Sequence, residues 1–301
     1  MSAIDLNCRL LCAAAASYLI QPGDPSGQRN PTANVTDEGQ LDQYAAVGFD
    51  QDPFLVSDGI DAALVGTTES FCVVAFRGTL APAKNFDSIL DWTQDFLAEP
   101  TTNVNLPGKI HDGFLSAVLT LADPVDEAIQ ALNPNGLPIY FTGHSKGGGM
   151  APIGAMYAAH AFDTRIENVV CFAGPRPGNI DFAVAFDEKF PNALRFENYG
   201  DIVPTLPPTP AFAALAAEIP ILGKLFEKAV AWDYNAVGRL HYIEKDGSVR
   251  PEHFYPLEGE AVIIDRLLKR DGASFAQAHE CACCHGYMNG VCGSTVCSCG
   301  D

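Results

Sequence analysis

Residues 137–162 constrain this chain more than any other stretch. Leu137-Pro-Ile-Tyr-Phe-Thr142 is a short apolar run, the pattern of a buried strand, and Met150 to Phe162 is Ala-rich and reads as a helix. Between them lies Gly143-His144-Ser145-Lys146-Gly147, a G-x-S-x-G sequence. A strand that turns straight into a helix holds the serine in a strained backbone conformation. Its neighbours must then be small, and glycines stand on both sides. The turn lifts the Ser145 hydroxyl above the sheet and sets a helix N-terminus beneath it, so that the Lys146 amide faces an oxyanion developing there. A Gly-rich turn is common by itself. The strand before it and the helix after it make Ser145 a candidate nucleophile.

Other runs follow the same rhythm. Phe71-Cys-Val-Val-Ala-Phe76 ends at Arg77-Gly78, Val169-Val-Cys-Phe-Ala173 is broken by Gly174-Pro-Arg-Pro-Gly178, and Leu194 to Asn198 ends at Tyr199-Gly200-Asp201. Strands separated by helical stretches predict an α/β architecture, a mostly parallel central sheet flanked by helices. In such sheets functional groups gather beyond the carboxyl ends of the strands. With 301 residues, no internal repeat and no low-complexity linker, the expectation is a single domain over 1–301. Two segments interrupt the rhythm after strand ends, at 80–107 and, as a helical insertion, at 207–233. Hydrophobic residues make up 48% and charged residues 18%, enough for a sizeable core. A formal net charge of -19 disfavours nucleic acid and anionic membrane as partners.

No apolar run reaches the roughly 18 residues of a membrane span, so no integral membrane segment is expected. Leu10 to Ile20 is apolar, but Asp5 precedes it and no clean small-residue cleavage site follows. It reads as a buried or amphipathic first helix rather than a signal peptide, which leaves secreted and cytoplasmic locations both open. Of ten cysteines, Cys72 and Cys171 sit in strand-like runs and read as buried free thiols. Six crowd the tail 281–299: Cys281, Cys283, Cys284, Cys292, Cys297 and Cys299. They are enough for three disulfides or for one tetrahedral zinc, with free thiols the remaining alternative.

Six motifs in order resemble the class 3 (fungal-type) lipase family of α/β-hydrolases, which includes lid-bearing triacylglycerol lipases and feruloyl esterases. They are Ala75-Phe-Arg-Gly-Thr79, Asp91-Trp-Thr-Gln-Asp95, His111-Asp-Gly-Phe114, Gly143 to Gly147, Phe172-Ala-Gly-Pro-Arg-Pro-Gly-Asn179 and Tyr199-Gly-Asp-Ile-Val-Pro204. The resemblance implies an α/β-hydrolase with a lid at about 82–99, carrying Phe86, Trp92 and Phe96. It implies carboxylic ester hydrolysis through an acyl-enzyme on a Ser-His-Asp triad, with no cofactor and no metal. Thr79 and Lys146 are then the oxyanion-hole residues, Asp201 the acid, with Asp181 a weaker rival, and Asp95 a residue orienting Thr79. His111 and His144 are implied to be structural, and Arg176, long and charged near the acid, reads as an ion pair that fixes its loop. Lys146, in place of the usual apolar or neutral residue, departs from the family pattern, as does the Cys-rich tail.

The catalytic histidine should follow Asp201. His241 lies in an alternating strand-like run, and His253 comes early in the chain. The family places its histidine near the C-terminus, before a tyrosine and a Gly-x-Cys, which Tyr287 and Gly290-Val-Cys292 supply here. That selects His279, with His285 as the alternative. The expected function is a carboxylic ester hydrolase, a triacylglycerol lipase acting on lipid or another ester at an oil–water interface. A feruloyl or short-chain esterase is the alternative. From a different class, the rival is a non-catalytic scaffold with a zinc-binding tail.

Overall fold

The computed structural model describes residues 4–22, 24, 38–79, 88, 96–210, 213, 229–251, 257–281 and 286–293. Its helices are α1 (Leu6–Ala16), α2 (Glu38–Val47), α3 (Asp112–Leu132), α4 (Lys146–Ala161), α5 (Ile180–Lys189), α6 (Leu257–Lys269), α7 (Gly272–His279) and α8 (Tyr287–Cys292). The strands before α4 are β1 (Phe54–Asp58), β2 (Asp61–Thr67), β3 (Cys72–Phe76), β4 (Pro100–Asn103), β5 (Leu106–His111) and β6 (Ile139–His144). After it come β7 (Ile166–Phe172), β8 (Gly178–Asn179), β9 (Leu194–Asn198), β10 (Tyr234–Asn235), β11 (Arg239–Ile243) and β12 (Val249–Pro251).

The central sheet runs β1-β2-β3-β6-β7-β9-β11-β12. The pairs from β3 to β11 are parallel, and the edge pairs β1–β2, β2–β3 and β11–β12 are antiparallel. The strand runs are continuously apolar because both faces are covered. Val74 and Phe76 of β3 point into a core shared with α3 and α4, while Val73 and Ala75 meet α1 and α8. A small sheet, β10-β8-β5-β4, stands beside the main one.

Two boundaries differ from the sequence reading. β6 starts at Ile139 because the backbone N–H and carbonyl of Leu137 are both bonded to the Asn133 side chain. The elbow helix starts at Lys146, ahead of its alanines, and takes in Gly147, Gly148 and Gly149. Glycine is a poor helix former, but all three are buried, and the packed environment overrides propensity.

The first helix is buried as expected, through Cys8, Leu10, Leu11, Cys12, Ala13 and Ala14. Its Cys8 is bonded to Cys292 of α8, 284 residues away. This corrects the reading of three disulfides among the six tail cysteines, since Cys292 is bonded to α1 and Cys281 is a free thiol. Cys283, Cys284, Cys297 and Cys299 lie outside the described residues. Cys72 and Cys171 are buried free thiols, as expected, and Cys12 is a third. Burial pushes all three up to about 12, which keeps them protonated and inert. Among the described residues no helix is long and apolar enough to cross a membrane.

The bridge closes a loop spanning almost the whole chain. Cys292→Ser is therefore expected to cost about 2–5 kcal/mol. Thermal melts of the oxidised protein and the variant check this, and an unchanged melting temperature would show that the bridge adds nothing.

Candidate active site

The parallel register brings Phe76 opposite Gly143, His144 opposite Phe172, and Phe172 opposite Phe196. The strands therefore end level with one another, and the loops beyond them converge. Ser145 sits at the top of β6 with φ 60 and ψ -131, a left-handed conformation that a non-glycine residue holds only under strain. Packing enforces it. A Cβ at Gly143 would collide with the Gly147 carbonyl, and one at Gly147 with the Phe76 carbonyl of β3. The Ser145 carbonyl accepts the Gly148 and Gly149 N–H groups at 2.8 and 3.2 Å, so the α4 N-terminus starts directly behind the buried serine. Lys146 turns its side chain away into an ion pair with Asp61 of β2, at 2.6 Å and largely buried. This accommodates a charged residue where the family pattern has a neutral one. Thr79, half-buried, follows β3 and the close contact at Gly78.

Asp201 lies in the turn after β9, its carboxylate inaccessible to solvent. It accepts hydrogen bonds from the Val203 N–H at 3.0 Å and the Tyr287 hydroxyl at 2.7 Å. His279, the last residue of α7, places Nδ1 2.9 Å from Oδ2 and 3.0 Å from Oδ1. A carboxylate can only accept, so the proton is on Nδ1 and the basic lone pair is on Nε2. Three independent contacts seat this pair. Arg266 donates to the Gly200 and Ser274 carbonyls at 2.8 and 3.1 Å, clamping the acid turn to α7. Asn198 donates to the Ala278 carbonyl at 2.8 Å. Tyr287 is carried by α8, the helix that the disulfide ties to α1.

The His144 ring lies between the two regions, 4.7 Å from the His279 ring, and its Nε2 is 2.7 Å from the His279 carbonyl. Burial and the neighbouring His279 hold its pKa well below the ordinary histidine value, so it is neutral and donates from Nε2–H. His111 caps α3 by accepting from Phe114 N–H and stacks on Phe114, which touches Gly149 of the elbow helix. Burial lowers its pKa to about 4, and it stays neutral. Arg176 is buried and donates to the Thr205 and Pro207 carbonyls, fixing the loop as expected, though through backbone oxygens. Asp181, the rival acid, sits on the surface in the first turn of α5. His241 lies in β11, its ring 5.0 Å from Phe196.

Asp95, His253 and the alternative His285 lie outside the described residues, as do 82–87 and 89–95 of the expected lid and 211–212 and 214–228 of the helical insertion. Phe96, which the lid reading placed beside the cover, is packed inward in this structure. It is buried against Phe114, with its carbonyl 3.1 Å from His111 Nε2, and Tyr234 donates to Ala98 at 2.8 Å. The C-terminal end of the expected lid is therefore anchored to the core.

The sequence reading missed the supporting shell. Tyr287 served there only as a marker trailing the histidine, and Tyr18, Arg266 and Asn198 carried no motif at all. A strained serine at a helix N-terminus, and an imidazole held by a buried carboxylate, are the parts that nucleophilic acyl transfer requires.

Residues 73–211 match the family model described as lipase (class 3). The chain is 31% identical to a Caenorhabditis elegans lipase over 136 residues, covering 44% of this chain and 37% of the relative. It is 31% identical to the secreted mono- and diacylglycerol lipase MDL3 of Malassezia globosa over 143 residues, covering 46% and 47%. It is also 30% identical to the chloroplastic phospholipase A(1) DAD1 of Arabidopsis thaliana over 155 residues, covering 45% and 33%. The chain thus spans less than half the length of these relatives. Among solved structures it is similar to the Rhizomucor miehei triacylglyceride lipase, with a TM-score of 0.54 and 18% identity over 79% of this chain and 78% of that one. It is also similar to a lipase from Rhizopus microsporus var. chinensis, with a TM-score of 0.54 and 22% identity over 79% and 72%. At such identities the likeness establishes the α/β-hydrolase fold.

Proposed function

We propose that this chain, which belongs through residues 73–211 to the class 3 lipase family, is a serine carboxylic ester hydrolase acting on lipid esters. The observation that carries the reading is the Asp201–His279 pair, its carboxylate buried, at the same end of the sheet as the strained Ser145. In this mechanism His279 Nε2 takes the Ser145 proton as the hydroxyl oxygen attacks the ester carbonyl. The tetrahedral oxyanion is held by the amides of Thr79 and Lys146. Collapse transfers the proton from His279 to the leaving alcohol and leaves an acyl-enzyme. Water, activated by the same imidazole, then releases the acid and restores Ser145. Asp201 keeps the proton on His279 Nδ1 and stabilises the imidazolium. No step calls on a metal or organic cofactor.

The family relation and the names of the relatives favour acylglycerols and phospholipids as the substrate class. The net charge of -19 favours neutral esters over anionic surfaces. Within that class we propose a triacylglycerol lipase whose segment at about 82–99 acts as the cover at an oil–water interface. Labelling by a fluorophosphonate, followed by rates on p-nitrophenyl esters of increasing chain length and on triglyceride across its solubility limit, tests each level. Ser145 should be labelled, long acyl chains preferred, and the rate should rise where emulsion forms. An unlabelled protein would favour the non-catalytic scaffold. Short-chain or feruloyl preference without a rise at emulsion formation would place the chain among the polar-substrate esterases.

A further inference from the structure

Tyr18 stands on the 3₁₀ turn Ser17–Leu19 that follows α1, far in sequence from every motif of the site. Its hydroxyl is 2.9 Å from His144 Nδ1. His144 donates its one ring proton from Nε2 to the His279 carbonyl, so Nδ1 must accept and the Tyr18 O–H must donate. The same hydroxyl lies so close to Gly78 that a Cβ there would collide with it and with the His144 carbonyl. Gly78 directly precedes Thr79. One oxygen atom therefore touches the strand end that carries Thr79 and the elbow that carries Ser145, and reaches His279 through His144. The turn beneath it is pinned. Arg77 donates to the Ile20 carbonyl at the end of the turn and to the Ile60 carbonyl of the β1–β2 hairpin. Burial raises the phenol well above its ordinary pKa, so the proton it donates is always present.

We propose that Tyr18 is a positioning residue of the hydrolytic site: its hydroxyl locks His144 in the Nε2–H tautomer that supports the main chain at His279, and wedges the Gly78–Thr79 strand end against the elbow. The inference rests on the hydrolase reading above. Without the hydroxyl, His144 is free to carry its proton on Nδ1. The Nε2 lone pair then faces the lone pairs of the His279 carbonyl, and α7 moves away at the residue that holds the imidazole. A displacement of an ångström at a catalytic group costs up to about 100-fold.

Tyr18→Phe tests this, because the ring and its packing stay while only the hydroxyl goes. We expect kcat on a p-nitrophenyl ester and the rate of fluorophosphonate labelling to fall about 10- to 100-fold. KM should stay within about twofold and the melting temperature within a few degrees, a split that general loss of structure would not produce. Nitrogen-15 spectra should show His144 purely as the Nε2–H tautomer in the wild type and as a mixture in the variant. A kcat within twofold of wild type overturns the proposal. So does an Nδ1–H tautomer in the wild-type protein, which needs no variant to fold. A wild type that neither hydrolyses esters nor takes the label would instead defeat the hydrolase reading.

Discussion

Ser145→Ala is expected to lower ester hydrolysis about a million-fold while leaving the fold intact. The exchange removes a single oxygen. Alanine keeps the same Cβ, so the strained φ of 60 at the elbow is no worse for the variant than for the wild type. The carbonyl of residue 145 still accepts from Gly148 and Gly149, and the α4 N-terminus is unchanged. What is lost is the oxygen that forms the acyl bond in the proposed mechanism. The oxyanion amides and substrate binding then leave a residual rate about 1,000- to 10,000-fold above water. Initial rates on p-nitrophenyl esters, alongside circular dichroism melts, decide the matter. A variant retaining a tenth of wild-type activity would remove Ser145 from the mechanism.

His279→Ala should be about as damaging, because nucleophile and base act as a unit and losing either disables both. The truncation leaves a cavity beside Asp201, whose carboxylate keeps the Val203 N–H and the Tyr287 hydroxyl. Added imidazole can enter that cavity, donate to the carboxylate and present its second nitrogen to Ser145. Partial recovery of acylation by imidazole is therefore expected, and it separates a missing base from a damaged fold. His285→Ala serves as the companion variant and should acylate at a near-normal rate. The reverse pattern, with normal acylation in His279→Ala and loss in His285→Ala, would transfer the role to His285.

The parts of the site legible in the sequence are those whose chemistry forces a local pattern. The elbow needs small neighbours around a strained serine, so Gly143 and Gly147 announce it. The parallel sheet needs apolar strands covered on both faces, so runs such as Phe71–Phe76 stand out. Asp201 shows because it follows a strand in a tight turn at Gly200, which has φ 74. His279 was chosen through the family's spacing to a tyrosine and a cysteine, with His285 left as the alternative. The structure gives that spacing a physical content. Tyr287 bonds the same carboxylate that His279 bonds, and Cys292 anchors the helix that carries Tyr287. Helical spacing of apolar residues in the expected lid could not say which of them faces the core, and the structure packs Phe96 against Phe114.

By itself the sequence determined the fold class, and it named a candidate nucleophile at the elbow, a candidate acid after its strand and a short choice of histidines. The elbow and the acid turn are set by interactions among residues only a few positions apart, whereas the histidines were narrowed by the resemblance to the family. Only the tertiary structure decided which partners complete the site. The Tyr18–His144 contact spans 126 residues, the His144–His279 contact 135, the Tyr287–Asp201 contact 86 and the Cys8–Cys292 bridge 284. Contacts at such separations impose no spacing and no periodicity on the chain. They are made by folding distant strand ends and helix ends onto one edge of the sheet, and become visible only when that edge is assembled.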